Sequence, residues 1–428
     1  MSSGLILASN PKFSELKGKT PQRLNASPNE EELISKPDIG VDFIPAFSNS
    51  KKSVPKGVNK IDGDGTTLYG SLISSSATTD FGIYSYPASG NTKFTSVYIN
   101  SKIRANGGGA YADGKYYVIY YLATNVGYSV PYYRVYDTTT WEEELYIKKA
   151  DFTDASNGMT YDMATNTFYA TSYKDDSRTT GYWLSTFDTT TGDMNPIATI
   201  ERMTFIACNP QGQLYGVKAS DGCLYKINKK TAELTLVGNT NLTPAGYLQS
   251  GTFDPNTGKL YWSAFLSDNS GGLYEVDTNT GAASLISTFP GNEEIVGMYV
   301  PEKQLSADVP AKVEDLNITT SGDSNKASLD FTVPSKTYGG SQLTGSLTAS
   351  VYANGELLFE TPNLTAGAKV SKSDIALPSG KVYIKVVISN AAGIGEKAAK
   401  DLWIGYDAPK EITGLTLTSD GSSLAKLS

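Results

Sequence analysis

A repeated skeleton between residues 109 and 254 limits the possible folds of this chain more than any other feature. It reads Gly109-Ala-Tyr-Ala-Asp113, then Gly158-Met-Thr-Tyr-Asp162 and Gly251-Thr-Phe-Asp254, and Thr204-Phe-Ile-Ala-Cys-Asn209 occupies the gap before the last copy. The closing polar residues Asp113, Asp162, Asn209 and Asp254 lie 49, 47 and 45 residues apart. A period of this length indicates that one supersecondary unit is repeated along the chain.

Each copy of the skeleton is followed by three further strand patterns. The second follows a turn, as in residues 115–122, and the third ends in a polar turn such as Leu273-Tyr-Glu-Val-Asp-Thr-Asn-Thr-Gly281. In such a turn the Asp side chain accepts backbone N–H groups, and Gly adopts a positive φ. Four strands in each unit of 45–49 residues is the pattern of a β-propeller blade.

The strand patterns also predict how the ring of blades closes. Three patterns at residues 67–73, 82–86 and 93–99 precede the first full copy and lack an inner strand, which Glu294-Ile-Val-Gly-Met-Tyr-Val-Pro301 supplies after the last copy. We therefore predict an all-β chain with a five-bladed propeller over residues 57–302, whose last strand closes the first blade and removes the sheet edges. A sixth blade is possible only if residues 37–56 contribute strands. Residues 1–56 are polar with scattered prolines, which predicts a flexible arm or linker.

The pattern changes after residue 302. Val309-Pro-Ala-Lys-Val-Glu-Asp-Leu-Asn-Ile-Thr319 recurs as Ala408-Pro-Lys-Glu-Ile-Thr-Gly-Leu-Thr-Leu-Thr418, an offset of 99 residues. Short alternating strands lie between the two copies, as expected of an immunoglobulin-like sandwich. We predict one such domain over residues 303–407 and the start of a truncated second repeat over residues 408–428.

Composition excludes several classes of function. The chain of 428 residues has no histidine, which excludes Ser-His-Asp and Cys-His triads and His-ligated metal sites. Its 36 Lys+Arg against 44 Asp+Glu give a net charge of −8, which disfavours nucleic acid as a partner. No stretch approaches 18 consecutive apolar residues, so no spanning helix is predicted, and the N-terminus lacks a signal-peptide pattern. The two cysteines fall on distant strand ends and are predicted to be free thiols.

Several of these motifs together resemble a known architecture. Propeller units with Asp-x-x-Thr-Gly turns, followed by Leu377-Pro-Ser-Gly-Lys-Val-Tyr383 with Asn390 and Gly393 further on, are similar to large secreted or surface proteins of Bacteroidetes-type bacteria. In those proteins such propellers precede tandem fibronectin type III repeats, and Trp403-Ile-Gly-Tyr-Asp-Ala-Pro409 resembles their inter-repeat joint. The resemblance implies a fibronectin type III-like sandwich and an extracellular or cell-surface location. Phe331 stands where that family usually has an early Trp.

One face of the predicted propeller concentrates aromatic side chains. The loops that join fourth to first strands and second to third strands share that face, and flat aromatic rings with polar neighbours suit sugar rings. The alternative is that these tyrosines pack between blades. The candidate ligand-binding residues are Tyr121, Tyr128, Tyr132, Asn157, Tyr173, Asp175, Asp176, Arg178, Tyr182 and Tyr247.

The carboxylates give no catalytic or metal-binding motif. Asp113, Asp162 and Asp254 recur at one structural position, which favours turn capping over a shared cation in the channel. Asp62-Gly-Asp64-Gly65 opens like a calcium loop but lacks the later ligands, so a turn is predicted. Adjacent carboxylates in residues 142–144 point to opposite faces of a strand and cannot flank one bond. We expect no catalytic residue, no metal and no cofactor.

These observations favour a non-catalytic extracellular binding or adhesion protein. Its propeller would bind a glycan or glycoprotein on the loop face, and the sandwich repeats would act as a spacer. One alternative is a carboxylate- or Tyr-dependent polysaccharide-degrading enzyme on the propeller. Another is a structural protein-interaction module of a surface assembly.

Overall fold

The structure is a computed structural model that describes most of the chain from residue 55 onward. The described residues are 55–405, without 79, 101–102, 104, 106, 124–128, 149–153, 176–179, 246–248 and 321–324, together with 417–419 and 425–427. The regular elements in this part are all strands, which confirms the all-β prediction. The chain divides into two compact units, and the boundary lies between Lys303 and Gln304.

The described residues of the first unit form 21 strands. In chain order they are β1 Asn59–Lys60, β2 Thr67–Ser74, β3 Gly82–Pro87, β4 Thr95–Ile99, β5 Gly108–Ala112, β6 Lys115–Ala123, β7 Ser129–Asp137, β8 Glu143–Lys148, β9 Asp154–Asp162, β10 Thr167–Asp175, β11 Thr180–Phe187, β12 Met194–Thr199, β13 Met203–Cys208, β14 Leu214–Lys218, β15 Cys223–Ile227, β16 Leu234–Asn239, β17 Ser250–Phe253, β18 Leu260–Phe265, β19 Gly271–Val276, β20 Ala283–Thr288 and β21 Glu294–Tyr299.

Strands β2 to β21 form five antiparallel sheets. In each sheet, four strands lie side by side. We number them sheet 1 (β21-β2-β3-β4), sheet 2 (β5 to β8), sheet 3 (β9 to β12), sheet 4 (β13 to β16) and sheet 5 (β17 to β20). In sheet 1 the last strand of the unit, β21, pairs with β2, so that Tyr69 lies opposite Tyr299. The first sheet is thus built from both ends of the unit.

The first strand of each sheet lies innermost. These inner strands contact one another in the cyclic order β21, β5, β9, β13, β17 and back to β21. Among the described residues, each pair of neighbouring sheets shares one buried apolar cluster, such as Leu184 of sheet 3 with Ile206 and Leu214 of sheet 4. The unit is therefore held by five similar sheet-to-sheet interfaces around a central axis.

The outer turns repeat one hydrogen-bond pattern. Asp137, Asp188, Asn228 and Asp277 each accept the backbone N–H two residues further on through Oδ1, at 2.7–2.9 Å. Gly192 and Gly281 close two of these turns with positive φ values of 69° and 79°. The turn chemistry predicted from Asp-x-x-Thr-Gly is confirmed, and it fixes the hairpin between the third and fourth strands.

The short strand β1 adds a fifth strand to sheet 5. Asn59 and Lys60 pair in parallel with Ser284 and Leu285 at the outer edge of β20. The following segment is anchored by Asp64, whose Oδ2 lies 3.0 Å from Lys259 Nζ and accepts the Tyr261 hydroxyl at 2.9 Å. Asp64 thus belongs to an ion-pair cluster, and the turn prediction for residues 62–65 agrees with the positive φ of Gly63 and Gly65.

In the second unit, two of the three sheets that the structure describes surround one core. Its strands are β22 Glu314–Thr320, β23 Lys326–Thr332, β24 Leu347–Ala353, β25 Glu356–Leu364, β26 Lys369–Ala376, β27 Gly380–Asn390, β28 Gly393–Ile394, β29 Ala398–Ile404, β30 Leu417–Ser419 and β31 Ala425–Leu427. One sheet has the order β22-β23-β26, and the other is β25-β24-β27-β28 with β29 also beside β27. Phe331 from the first sheet and Val351 and Val386 from the second lie in one buried cluster.

The thiol and membrane predictions are also tested by the described residues. Cys208 is buried, Cys223 is half-buried, and both are free, as predicted. In the part of the chain that the structure describes, no helix is long and apolar enough to cross a membrane.

Candidate functional site

A cavity of about 70 Å³ lies where the five inner strands end. We call it the channel-mouth cavity; it is lined by residues 109–113, 159–161, 163, 208, 210, 251–253, 255, 298–300 and 302. Every inner strand contributes its C-terminal end, because the five strands run in the same direction around the axis. With roughly 10–15 Å³ needed for one water molecule, the volume holds about five waters, or one ring-sized group.

A smaller space lies further along the inner strands. This second space, lined by the first halves of the inner strands, holds only about 10 Å³. Tyr116 lies between sheets 1 and 2, where its hydroxyl donates to the Gly297 carbonyl at 2.8 Å. A Cβ atom at Gly109 would lie 2.6 Å from that hydroxyl oxygen, so glycine is required for the ring to fit. The channel-mouth cavity is therefore the larger of these two spaces along the inner strands.

Tyrosine rings form part of the cavity wall. Tyr111 stacks on Tyr299 with ring centroids 4.7 Å apart and an interplanar angle of 4°, and Tyr299 stacks in turn on Tyr69 at 5.2 Å. Tyr299 is buried, whereas Tyr111 is half-buried. Tyr161, also half-buried, donates its hydroxyl to Asn166 Oδ1 at 3.1 Å. These contacts fix the orientation of the rings before any ligand arrives.

Methionine completes the apolar part of the wall. The chain has six methionines, and three of them, Met159, Met163 and Met298, line this cavity. Unbranched thioether side chains adapt their shape to a bound group more readily than Leu or Ile does. The wall thus combines flat, fixed aromatic rings with deformable apolar side chains.

Two of the potentially reactive groups of the wall, Cys208 and Tyr299, are held in their neutral forms. Burial, and after it the charge of Asp162, raises the pKa of the Cys208 thiol well above its ordinary value. Burial likewise raises the pKa of the Tyr299 hydroxyl. Neither group therefore supplies an anionic nucleophile or base near neutral pH. Within the described residues, no three His, Cys, Asp or Glu side chains are grouped so that they could hold a metal ion.

Two of the recurring aspartates of the skeleton, Asp162 and Asp254, cap their own turns. Asp162 is fully buried and accepts Ala164 N–H at 2.9 Å, Thr165 Oγ1 at 2.6 Å and Lys229 Nζ at 2.6 Å. Asp254 is 2% exposed and accepts Asn256 N–H and Thr257 Oγ1. The capping interpretation describes both side chains, and Asn209 performs the same task for Gln211 and Gln213.

The structure places the predicted residue Tyr132 inside sheet packing. Its ring is 2% exposed and stacks on Tyr120 at 5.2 Å and on Tyr146 at 5.6 Å. The Arg134 guanidinium lies over the rings of Tyr120 and Tyr146. It therefore packs on the same side of sheet 2 as the Tyr132 ring. Tyr132 therefore offers no open face to a sugar, because cross-strand stacking along β6, β7 and β8 covers it.

Two other predicted residues are brought together in sheet 3. Tyr173 and Tyr182 are cross-strand partners, and their half-buried rings meet edge to face at 5.1 Å. Asn157 is the extra residue of a bulge in β9, between the partners of Thr171 and Ser172. Tyr121 lies in β6 and Asp175 ends β10. Tyr128, Asp176, Arg178 and Tyr247 fall outside the described residues.

The channel-mouth cavity is at the end of the first unit opposite to the predicted loop face. The sequence pattern places the cavity residues in inner strands and in the turns that follow them. In such positions Tyr111, Tyr161 and the methionines look like residues that pack in the core. The available signal was their position: each lies within or just beyond a copy of the repeated skeleton, so the copies must bring them to the same end of the ring.

Comparison with known proteins gives structural similarity alone. No family model and no curated protein sequence matches this chain. Among solved structures it is similar to TolB from Acinetobacter baumannii, at 12% identity and a TM-score of 0.33, over 65% of this chain and 63% of that one. The chain thus spans less than two thirds of the TolB chain.

Two further similar structures cover more of their own chains. One is regucalcin, a calcium-binding protein from Agrobacterium tumefaciens, at 12% identity and a TM-score of 0.30, over 64% of this chain and 87% of that one. The other is a gluconolactonase from Xanthomonas campestris, at 9% identity and a TM-score of 0.30, over 57% of this chain and 89% of that one. The similar structures are β-propeller proteins.

Proposed function

We propose that this chain is a non-catalytic extracellular binding protein whose propeller holds one ring of a glycan in the channel-mouth cavity. In this proposal the five four-stranded sheets are the blades of a five-bladed propeller. The second unit is a fibronectin type III-like sandwich that serves as a spacer. The period of 45–49 residues supports the blade count, with one sheet for each of the four copies of the skeleton and a fifth, sheet 1, completed by β21.

The observation that carries the proposal is a cavity with tyrosine rings in its wall. A sugar ring has a flat C–H face that packs on an aromatic ring, and hydroxyl groups that hydrogen-bond around its rim. Tyr111 and Tyr161 supply partly exposed rings, and backbone groups at the strand ends supply polar partners. A volume for about five waters fits one sugar unit, which predicts recognition of a chain end or a branch.

The proposal is non-catalytic because the cavity lacks an activated group. The Cys208 thiol and the Tyr299 hydroxyl are both held protonated by burial. Two carboxylates, Asp113 and Glu302, do line the cavity, so hydrolysis is tested directly in the experiment below. The gluconolactonase among the similar structures is related to this chain by fold alone.

The test is a glycan and mucin binding screen with the whole chain, with analysis of the glycan after binding. Tyr111→Ala and Tyr161→Ala remove the two rings of the cavity wall. Tyr146→Ala is the matched control, because that ring is 45% exposed and lies on β8, outside the cavity. We expect the first two variants to lose binding by about tenfold or more each, as for removal of an aromatic contact at a binding site, while the control keeps it.

Three outcomes would contradict this account. Release of a shortened glycan would make the protein an enzyme. Loss of binding only on changing Tyr128 or Tyr247 would move the site to the loop face. Failure of the unaltered chain to bind any glycan would favour a structural protein-interaction module. Thermal melts of each variant separate loss of binding from loss of fold.

A further inference from the structure

One side of the channel-mouth cavity is built differently from the others. Inner strands β5, β9, β13 and β17 each end in a turn that returns to the next strand of the same sheet, as where Phe253 of β17 pairs with Leu260 of β18. Strand β21 has no such turn, because the chain continues from it into the second unit. A hairpin holds the end of a strand, whereas the end of a domain frays unless it is tied down.

The side of the cavity without a hairpin is formed by the end of β21 and the residues after it. Its wall residues are Met298, Tyr299, Val300 and Glu302. The pairing of β21 with β2 ends where Tyr299 lies opposite Tyr69, and Val300 is buried in the apolar cluster between sheets 1 and 5. Glu302 and Lys303 are exposed, so burial does not fix them. We call residues 300–303 the exit segment.

The side chain of Asn256 holds the exit segment at two points. Asn256 lies in the turn between β17 and β18 of sheet 5. Its Nδ2 donates to the Pro301 carbonyl at 3.2 Å, and its Oδ1 accepts the Lys303 backbone N–H at 2.8 Å. One amide thus pairs with the backbone as donor and as acceptor, as a neighbouring strand would. Within the described residues, both hydrogen bonds that the structure gives to residues 301–303 come from Asn256.

Asp254 orients the Asn256 amide. Asp254 is 2% exposed, and its Oδ1 accepts both the backbone N–H and the Nδ2 group of Asn256, each at 2.8 Å. Its Oδ2 accepts the Thr257 hydroxyl at 2.7 Å, which holds the carboxylate in place. Because a carboxylate only accepts hydrogen bonds, the Nδ2 end of the amide must face Asp254, and the Oδ1 end is left for the Lys303 N–H. The amide is therefore oriented before any ligand binds.

We propose that Asn256 is a positioning residue for the channel-mouth cavity: it replaces the missing hairpin and keeps the exit segment in place as part of the cavity wall. The inference rests on the proposed glycan-binding function. Asn256 itself does not line the cavity, whereas Val300 and Glu302 do, so it acts on a bound sugar through the exit segment. Without these two hydrogen bonds the segment would have to be ordered during binding, which costs affinity.

The test uses two variants of Asn256 in the whole chain. Asn256→Ala removes both hydrogen bonds to the exit segment. Asn256→Asp keeps an acceptor for the Lys303 N–H but has no donor for the Pro301 carbonyl, and it places a second charge beside Asp254. Asn279→Ala is the matched control, because Asn279 is an exposed residue two positions after another turn-capping aspartate of sheet 5 and does not line the cavity. Two quantities are measured: the affinity for mucin, and the methyl NMR signal of Met298 in the free protein.

We expect both Asn256 variants to weaken mucin binding by about threefold to tenfold and to shift the Met298 signal, while Asn279→Ala changes neither. Lowered thermal stability with unchanged affinity and an unchanged Met298 signal would overturn the inference, since it would confine Asn256 to a structural role in its own turn, and would leave glycan binding intact. Weaker binding without a shift of Met298 would also overturn it and make Asn256 a direct ligand contact. If the unaltered chain binds no glycan, the proposed function itself is contradicted, and the Met298 signal alone then decides whether Asn256 positions the wall.

Discussion

Single residues in the inner strands decide how closely the five sheets approach the axis. Gly251 of β17 lies against the Phe205 ring of β13, and a Cβ atom at Gly251 would lie 2.2 Å from Phe205 Cε2. Phe205 is itself buried and packs on Trp262, with ring centroids 5.5 Å apart. The Phe205 ring therefore has little room to move. Glycine is needed at position 251 because the ring leaves no space for a side chain, and not because of the backbone conformation.

We predict that Gly251→Ala lowers the free energy of unfolding by about 2 kcal/mol, the usual cost of forcing a methyl group into a packed interface. Gly158→Ala is the matched control. It also lies in an inner strand, β9, four residues before Asp162, but a Cβ atom there would have Thr171 Oγ1 as its nearest neighbour, at 3.4 Å. Chemical denaturation of both variants measures the difference. Equal stability of the two would show that Phe205 yields and that this contact does not set the spacing of the sheets.

At the scale of elements, segments from opposite ends of the first unit add strands to sheets 1 and 5. Strand β21 supplies the inner strand of sheet 1, whereas β1 covers the outer edge of sheet 5. Between β1 and β2, Asp64 joins the chain to Lys259 and Tyr261 of sheet 5. Partial burial disfavours the charged Asp64 carboxylate, but hydrogen bonds from Thr66, Lys259 and Tyr261 outweigh that effect and hold its pKa well below the ordinary value of 3.8.

This lowered pKa predicts a pH-dependent effect of Asp64→Asn. Because the carboxylate is more acidic in the folded chain than in the unfolded chain, its stabilisation is present above about pH 4 and is lost as the pH falls towards the folded value. We expect the variant to be less stable than the unaltered chain by on the order of 1 kcal/mol at pH 7, with the difference shrinking below pH 4. Thermal melts across that range test it. A difference that persists unchanged at pH 3 would mean that the charge is not the cause.

The strand patterns were readable from the sequence because their apolar residues alternate and their turns carry Asp and Gly. The patterns at 67–73 and 294–301 correspond to β2 Thr67–Ser74 and β21 Glu294–Tyr299. The pairing of β1 with β20 had no such signal, since two exposed polar residues, Asn59 and Lys60, make it through backbone atoms alone. The burial of Tyr132 was also unreadable, because it depends on Tyr120 and Tyr146 from the adjacent strands.

At the scale of the whole molecule, the candidate site exists only because the repeat closes on itself. The channel-mouth cavity takes residues from five strand ends that are spread from position 109 to position 302. The sequence predicts that the copies of the skeleton are equivalent, but it does not show how far apart their ends lie around the axis. Tyr116 packs against Gly109, which lines the cavity, and against Gly297 of the neighbouring inner strand.

The most direct test of the account uses the methyl groups of methionine as reporters in the whole chain. Met159, Met163 and Met298 line the cavity, whereas Met194 lies in the outer strand β12 and Met203 packs between sheets 3 and 4. Titration of a methyl-labelled sample with a bound glycan should shift the NMR signals of the first three and leave those of Met194 and Met203 in place. Binding that leaves all three cavity signals unchanged would contradict the claim that this cavity is the site.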